Sequence, residues 1–285
     1  MIDLKQQSGL PIQLNKGAGE ISFYGGLASQ NPVLRYFGEL RDFLFGKAVI
    51  SLLNAPYYHM YREIAFKDDK KKFLETNLRY DITTLIKGRL KSEYVKTIGH
   101  FHPQKPGTNI SYPEIYEIIF GSAYYLLQKL DDNGKHIKDF IVVRAKAGDK
   151  VVIPPDYGHV TVNPLKDDLV MANLVSPVFK SDYQYYKNHK GAAYYVINEK
   201  KQPEKIIPNP NYEEDVPPLR EAKPKILTQL GIDERPLYSQ FAENPEKFRW
   251  LNEPENFIEQ LKPENVFSFG EWRQKDGIWN LEYRI

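Results

Sequence analysis

From about residue 80 to residue 199 the chain is written in short apolar runs cut by turns. "RYDITTLIKGRL", "SEYVKTIGHFH", "EIYEIIFGSAYYLLQKL", "DFIVVRAKAGDKVVIPP", "HVTVNPL", "DLVMANLVSP" and "AAYYVINEK" follow one another. Eight or so short strands at this spacing predict a barrel or a two-sheet jelly roll. Asp132-Asn133-Gly134, inside "DDNGK", predicts a hairpin turn. Upstream, "NPVLRYFGELRDFLF" (31–45) has helical spacing after an Asn-Pro start and predicts a helix. The aromatic stretch "PYYHMYREIAF" (56–66) predicts a strand.

Beyond residue 202 the pattern changes. "KQPEKIIPNPNYEEDVPPLREAKPK" carries six prolines, too many for regular structure, and predicts an extended arm or linker. The tail offers helix-like pieces around "LYSQFAENPEKFRWLNEP" and "ENFIEQLK", then "FGEWRQKDGIWNLEYRI", where Asp276-Gly277 predicts a hairpin. Phe248, Trp250, Leu251, Phe257, Ile258 and Leu261 would be exposed apolar surface unless this tail packs on the rest. No internal repeat points to a solenoid or propeller. The expected organisation is N-terminal helix and strand elements (1–70), a barrel with a closing arm (71–215) and a C-terminal α/β extension of unassigned role (216–285).

Composition narrows the chemistry. A length of 285 residues holds one large domain, or a domain with a substantial appendage. The net charge of +2 argues against a dedicated nucleic-acid or membrane-surface binder. Tyr and Pro, 20 of each, favour strands and turns over a helical bundle. Cysteine is absent, so any metal must be held by nitrogen and oxygen. "MIDLKQQSGLPIQL" does not read as a signal peptide, and no run of about 18 apolar residues suggests a spanning helix; a cytoplasmic protein is expected.

The six histidines are unevenly placed: His59, His100, His102, His136, His159 and His189. On a strand His100 and His102 share a face, roughly 7 Å apart, a spacing that suits two imidazoles converging on one cation. Glu114 and Tyr116 likewise share a face and Glu117 takes the other, so only one of the two glutamates can point inward on a regular strand. His159 follows a Pro154-Pro155 turn. His59, His136 and His189 have no such company.

These spacings resemble the two cupin motifs. His100, His102, Glu114 and Gly121 match the first; Gly148, Pro154, His159 and Asn163 match the second, with Asp156 at the usual middle glycine and a longer loop before Glu114. With Glu93, Thr97, Gly99, Tyr116 and Pro155 the chain resembles, over about residues 35–215, the cupin-type phosphoglucose isomerase family; Lys87 stands at a family proline and Lys91 at a family glycine. The resemblance implies a cupin double-stranded β-helix. It also implies one divalent metal per subunit (Fe, Mn, Ni or Zn) on His100, His102, Glu114 and His159. It implies substrate contacts at Thr83, Thr97, Gly99 and Tyr116, with Thr84 as the alternative to Thr83. Tyr183 matches a family tyrosine near the sugar and joins Glu114 as a candidate catalytic group, whereas Ser176 and Ser181 replace a tyrosine and a histidine.

The implied reaction interconverts glucose 6-phosphate and fructose 6-phosphate, with mannose 6-phosphate as a possible further substrate. Glu114 is the candidate base, a metal-assisted hydride shift being the alternative. Glu93 is either a partner orienting a histidine or a surface carboxylate. Lys87 and Lys91 either attract the phosphate or are solvated. The family implies a homodimer. Two other readings stay open: a cupin oxygenase with the same ligands, and a non-catalytic sugar-binding cupin.

Overall fold

The computed structural model describes residues 1–45, 56–164, 167–199, 202–212, 216–275 and 278–283. The N-terminal part runs β1 (Ile2–Asp3), α1 (Lys5–Ser8), β2 (Ile12–Asn15), β3 (Glu20–Phe23), β4 (Val33–Tyr36), α2 (Phe37–Leu40), β5 (Pro56–Tyr61) and α3 (Lys70–Thr76). Next come β6 (Arg79–Leu85), β7 (Arg89–Leu90), β8 (Glu93–Tyr94), β9 (Glu114–Phe120), β10 (Ser122–Leu130), β11 (Ile137–Lys146), β12 (Lys150–Ile153), β13 (Tyr157–Val162) and β14 (Leu169–Val175). The chain ends with α4 (Gln184–Asn188), β15 (Tyr194–Glu199), β16 (Gln202–Pro208), β17 (Arg220–Pro224), α5 (Leu237–Glu243), α6 (Pro263–Val266), β18 (Phe267–Lys275) and β19 (Ile278–Tyr283).

Two six-stranded sheets carry the barrel. One has the order β12-β9-β14-β6-β5-β4 and is antiparallel throughout. The other runs β13-β10-β11-β17-β18-β19 and is antiparallel except for the β11–β17 pair. Apolar residues of both sheets, Ile118, Met171, Leu126 and Val142 among them, join one core. This is the mainly β, two-sheet jelly roll that the spacing of the strands predicted, in keeping with the cupin fold that the resemblance implied. The β10–β11 hairpin turns at Asp131–His136, closed by Asp131 N–H to the His136 carbonyl at 2.8 Å.

Four expectations need correction or placement. Residues 33–36 form a strand rather than the start of a helix, because their backbone pairs with β5 at the sheet edge; only α2 and a 3₁₀ turn at Arg41–Phe43 follow. The proline-rich arm contains strands: β16 pairs with β15 as the edge of a four-stranded sheet, where Pro203 and Pro208 interrupt no interior ladder. "ENFIEQLK" is not a helix but a 3₁₀ turn at Pro254–Asn256 and further turns. Pro263 drives Lys262 to an extended φ of −60° and ψ of 143°, so no helix can run through it. The Asp276-Gly277 turn lies outside the described residues.

The C-terminal segment packs on the barrel. Strand β17 runs parallel to β11, and Phe241 of α5 stacks on Phe73 of α3 with ring centroids 4.1 Å apart. Phe248, Trp250, Leu251 and Leu261 are buried, Phe257 is partly so, and Ile258 stays 48% exposed. Helix α1 and strand β9 meet on the outer side of the first sheet, where α5 also lies. No helix among the described residues is long and apolar enough to cross a membrane.

Candidate metal centre

Strand alternation decides which carboxylate belongs to the site. Glu114 opens β9 on the inner face, where Asn173 of the neighbouring β14 donates to its Oε1 at 2.7 Å. Glu117, an odd step away, turns to the outer face, where Lys150 lies 3.1 Å from one oxygen and the Leu237 N–H donates to the other at 2.9 Å. The histidine pair is not on a regular strand: His100 is tied to His159 of β13 by an isolated bridge, and Phe101 to Asp182 by another. Extended backbone preserves the alternation, and ligand atoms of His100, His102, Glu114 and His159 all lie within 4.8 Å of one another.

Ring orientation suits a cation. His102 Nδ1 meets the Tyr112 carbonyl at 2.9 Å and His100 Nδ1 the Ile98 carbonyl at 3.5 Å, which leaves both Nε2 atoms to the cluster. His102 Nε2 and His159 Nε2 lie 3.4 and 3.5 Å from Glu114 Oε2. Burial pushes His100 down to about 3, helped by His102, and pushes His102 down to about 4. His159 falls well below its ordinary value by burial and by the two other imidazoles. Burial raises Glu114 to about 8, against the pull of a hydrogen bond from Tyr116. Three neutral imidazoles and one buried carboxyl fit a borderline divalent cation that takes nitrogen and oxygen donors. The His159 Nδ1 is buried without a partner.

The other expected residues fall at several distances from this cluster. Thr83 lines the pocket beside it, with Thr97, Tyr116, Ser181 and Tyr183. Thr84 points outward and donates to the Gly19 carbonyl, so of the two threonines only Thr83 stands in this pocket wall. Thr97 Oγ1 accepts the Thr161 N–H at 2.9 Å. The Tyr116 hydroxyl meets His159 Nε2 at 3.1 Å, and the Tyr183 ring lies 5.4 Å from that of His100. Gly99 lies against Tyr186 and Val160, whose side chains occupy the space a Cβ would need. Ser176 is buried with an unpartnered hydroxyl and does not line this pocket.

Glu93 neither orients a histidine nor faces solvent: it is buried against Lys96 and accepts the Phe45 N–H at 2.6 Å. Lys87 and Lys91 are exposed and stand outside the pocket wall. Lys91 and Asp156 keep the left-handed backbone of the glycines they replace, at φ 57° and 68°. Asp156 is held there by Ser111, whose N–H donates to Oδ1 at 3.0 Å. The reading of the sequence missed Arg62, Arg79, Asn173, Tyr58 and Phe179, all in the pocket wall. The available signal was alternation: Arg79 and Asp81 share the strand face of Thr83.

Residues 41–213 match the family model described as glucose-6-phosphate isomerase (GPI). The glucose-6-phosphate isomerase of Thermococcus kodakarensis is 25% identical over 213 residues, 75% of this chain and 100% of that protein. The enzyme of that name from Pyrococcus furiosus is 26% identical over 153 residues, 54% of this chain and 72% of its own. Among solved structures, oxalate decarboxylase from Bacillus subtilis overlaps 42% of this chain with a TM-score of 0.28 and 20% identity. Vicilin from Corylus avellana overlaps 45%, with a TM-score of 0.31 and 12% identity. The chain spans only 25% and 30% of those two structures. With more than half of its residues matched by the family model, the chain belongs to the cupin-type glucose-6-phosphate isomerase family.

Proposed function

We propose that the protein interconverts glucose 6-phosphate and fructose 6-phosphate, with a divalent cation held by His100, His102, Glu114 and His159. The observation that carries this reading is the gathering of those four ligands within 4.8 Å, beside hydroxyls of the same pocket wall, in a chain of this family. A bound cation would stabilise negative charge developing on O1 and O2 of the sugar. The protein's own part is to hold the sugar and move a proton between C1 and C2. Glu114 is the candidate carrier, with one carboxylate oxygen to hold the cation and the other to face the sugar, and a metal-assisted hydride shift is the alternative that needs no base.

Thr83, Thr97 and Tyr116 supply hydroxyls to the sugar phosphate, Gly99 a backbone N–H, and Tyr183 closes the site above His100. The assembly implied by the family is a homodimer, which light scattering checks. Mannose 6-phosphate is a further substrate to assay. One feature favours the non-catalytic sugar-binding reading: Ser181 and the buried Ser176 stand where the family has a histidine and a tyrosine.

The test is turnover of fructose 6-phosphate by protein as isolated, after chelation, and after return of Fe²⁺, Mn²⁺, Ni²⁺ or Zn²⁺. Loss on chelation and recovery with a particular metal are expected. Metal-replete protein that turns over neither fructose nor mannose 6-phosphate would overturn the isomerase reading.

A further inference from the structure

The long loop at residues 103–112 has a metal ligand at its root. His102 precedes it, and His102 Nδ1 meets the carbonyl of Tyr112, at the loop's far end, at 2.9 Å. The loop closes on itself: Gln104 bridges to Ser111, the Tyr112 N–H donates to the Pro103 carbonyl at 3.3 Å, and the Lys105 N–H to the Ile110 carbonyl at 2.8 Å. The Tyr112 ring stacks on that of Phe179, centroids 4.9 Å apart, and Phe179 lies 4.5 Å from the His102 ring. A displaced Tyr112 would carry the imidazole with it, because its carbonyl decides which ring nitrogen faces the cluster.

Two distant parts of the chain hold this loop. On one side Ser111 and Asp156 exchange bonds: the Ser111 N–H donates to Asp156 Oδ1 at 3.0 Å, and the Asp156 N–H to Ser111 Oγ at 2.5 Å. Asp156 stands in the turn just before β13, the strand that carries His159. The exchange therefore ties the two ligand-bearing motifs together, and a glycine at 156 would lack the side-chain half of it.

On the other side Lys105 Nζ lies 2.5 Å from Glu255 Oε1, 150 residues further on. The two side chains keep 23% and 31% of their surface open. Glu255 belongs to the 3₁₀ turn at Pro254–Asn256. Nearby, Asn252 Nδ2 donates to the Thr76 and Asn77 carbonyls at 2.8 and 3.2 Å, which fastens this segment to the end of α3. Tyr112, Val178, Pro245, Arg249 and Lys105 line one cavity of about 390 Å³. Packing between loop and segment is incomplete there, so the ion pair carries the link.

We propose that the C-terminal segment, through Glu255, and the turn before His159, through Asp156, clamp the 103–112 loop and so position His102 for the metal. Lys105, Ser111, Asp156 and Glu255 are positioning residues that act through the Tyr112 carbonyl. The proposal rests on the metal centre within the isomerase reading and is indifferent to the sugar. Glu255 lies beyond residues 41–213, the stretch that the family model matches. A long loop, an aspartate at a family glycine and an added segment thus form one clamp. Its advantage is preorganisation: an imidazole already held in place loses little freedom when it takes a cation.

The test compares Lys105→Glu, which sets two carboxylates against each other, with the swap Lys105→Glu/Glu255→Lys, which restores the pair. Mn²⁺ is titrated calorimetrically into chelated protein, and the visible absorption of Co²⁺-loaded protein reports ligand geometry. Lys105→Glu is expected to weaken Mn²⁺ binding about 3- to 10-fold and to shift the Co²⁺ bands, and the swap to recover most of both. Asp156→Gly suits the left-handed backbone at this position, φ 68°, and removes the acceptor of the Ser111 N–H. It is expected to weaken Mn²⁺ binding by a similar factor. A purely structural role would lower the melting temperature and leave metal affinity and spectrum alone. Should Lys105→Glu fail to fold, Lys105→Met serves instead, with Lys105→Arg as its rescue. Unchanged affinity and spectrum in either folded variant would overturn the proposal. Wild-type protein that takes up neither Mn²⁺ nor Co²⁺ would overturn the metal centre and the clamp with it. Clamp-dependent metal binding without turnover of fructose 6-phosphate would sink the isomerase reading and leave the clamp standing.

Discussion

Glu114 and Glu117 lie three residues apart on one strand, and burial raises both carboxyls, to about 8 and about 7. Their surroundings differ in kind. Glu117, on the outer face, already has a lysine ammonium at 3.1 Å and a backbone N–H from the C-terminal segment. Glu114, on the inner face, has three imidazoles that burial keeps neutral. A buried carboxylate needs a compensating charge. The outer site contains its cation as a side chain, and the inner site offers its place to an ion. One position is completed by folding, and the other gathers donors able to hold a metal ion.

Removing each carboxylate in turn should break the comparison most sharply. Glu114→Gln keeps the shape and removes the charge, so turnover of fructose 6-phosphate is expected to fall about 10²- to 10⁴-fold. Bound metal, measured by elemental analysis, should fall with it, whereas Glu117→Gln should leave metal content and KM as they were.

A smaller effect belongs to the outer site. Lys150→Leu should lower the unfolding free energy by about 3–5 kcal/mol at pH 8, because it leaves a buried carboxylate without its partner. The pH dependence has a definite sign. A carboxyl raised on folding from 4.5 to about 7 contributes stability that is full below 4.5 and is lost as pH climbs through 7. The cost of Lys150→Leu should therefore shrink at pH 5, where Glu117 takes up a proton; urea denaturation at the two pH values checks this.

The smallest effect separates neighbouring threonines on the same two faces. Thr83→Val should raise KM by about fivefold, equivalent to about 1 kcal/mol, with the melting temperature held. Thr84→Val should cost about 1 kcal/mol of stability, through the hydrogen bond to Gly19, and leave the kinetics alone.

The metal cluster could be read from the chain because each ligand sits in a short local pattern whose spacing carries the geometry: His100 and His102 by alternation, His159 after its Pro-Pro turn. Departures from the family's glycines proved harmless to the backbone, since Asp156 and Lys91 adopt the left-handed conformation themselves. The arginines of the pocket wall were less legible. Arg62 and Arg79 are ordinary charged residues in sequence and acquire a place there only when β5 and β6 pair across the sheet. The strand at 33–36 was hidden for a related reason: local spacing favoured a helix, and pairing with a distant edge prevailed. Proline content misled in the arm because an edge strand tolerates what an interior strand cannot.

The parallel pairing of β17 with β11 has a consequence for how the chain is made. Arg220 closes on Asp139 across 81 residues of sequence, so the flank of β11 stays open until that arginine leaves the ribosome. At translation speeds of about 5–20 residues per second, the wait from the end of β11 is roughly 4–15 s. Through that interval a nascent barrel presents an unpaired strand edge and an uncovered Glu117–Lys150 pair, both invitations to chaperones and to neighbouring chains. A chain stopped short of Arg220 is accordingly expected to be a sticky, half-sealed barrel rather than a smaller enzyme.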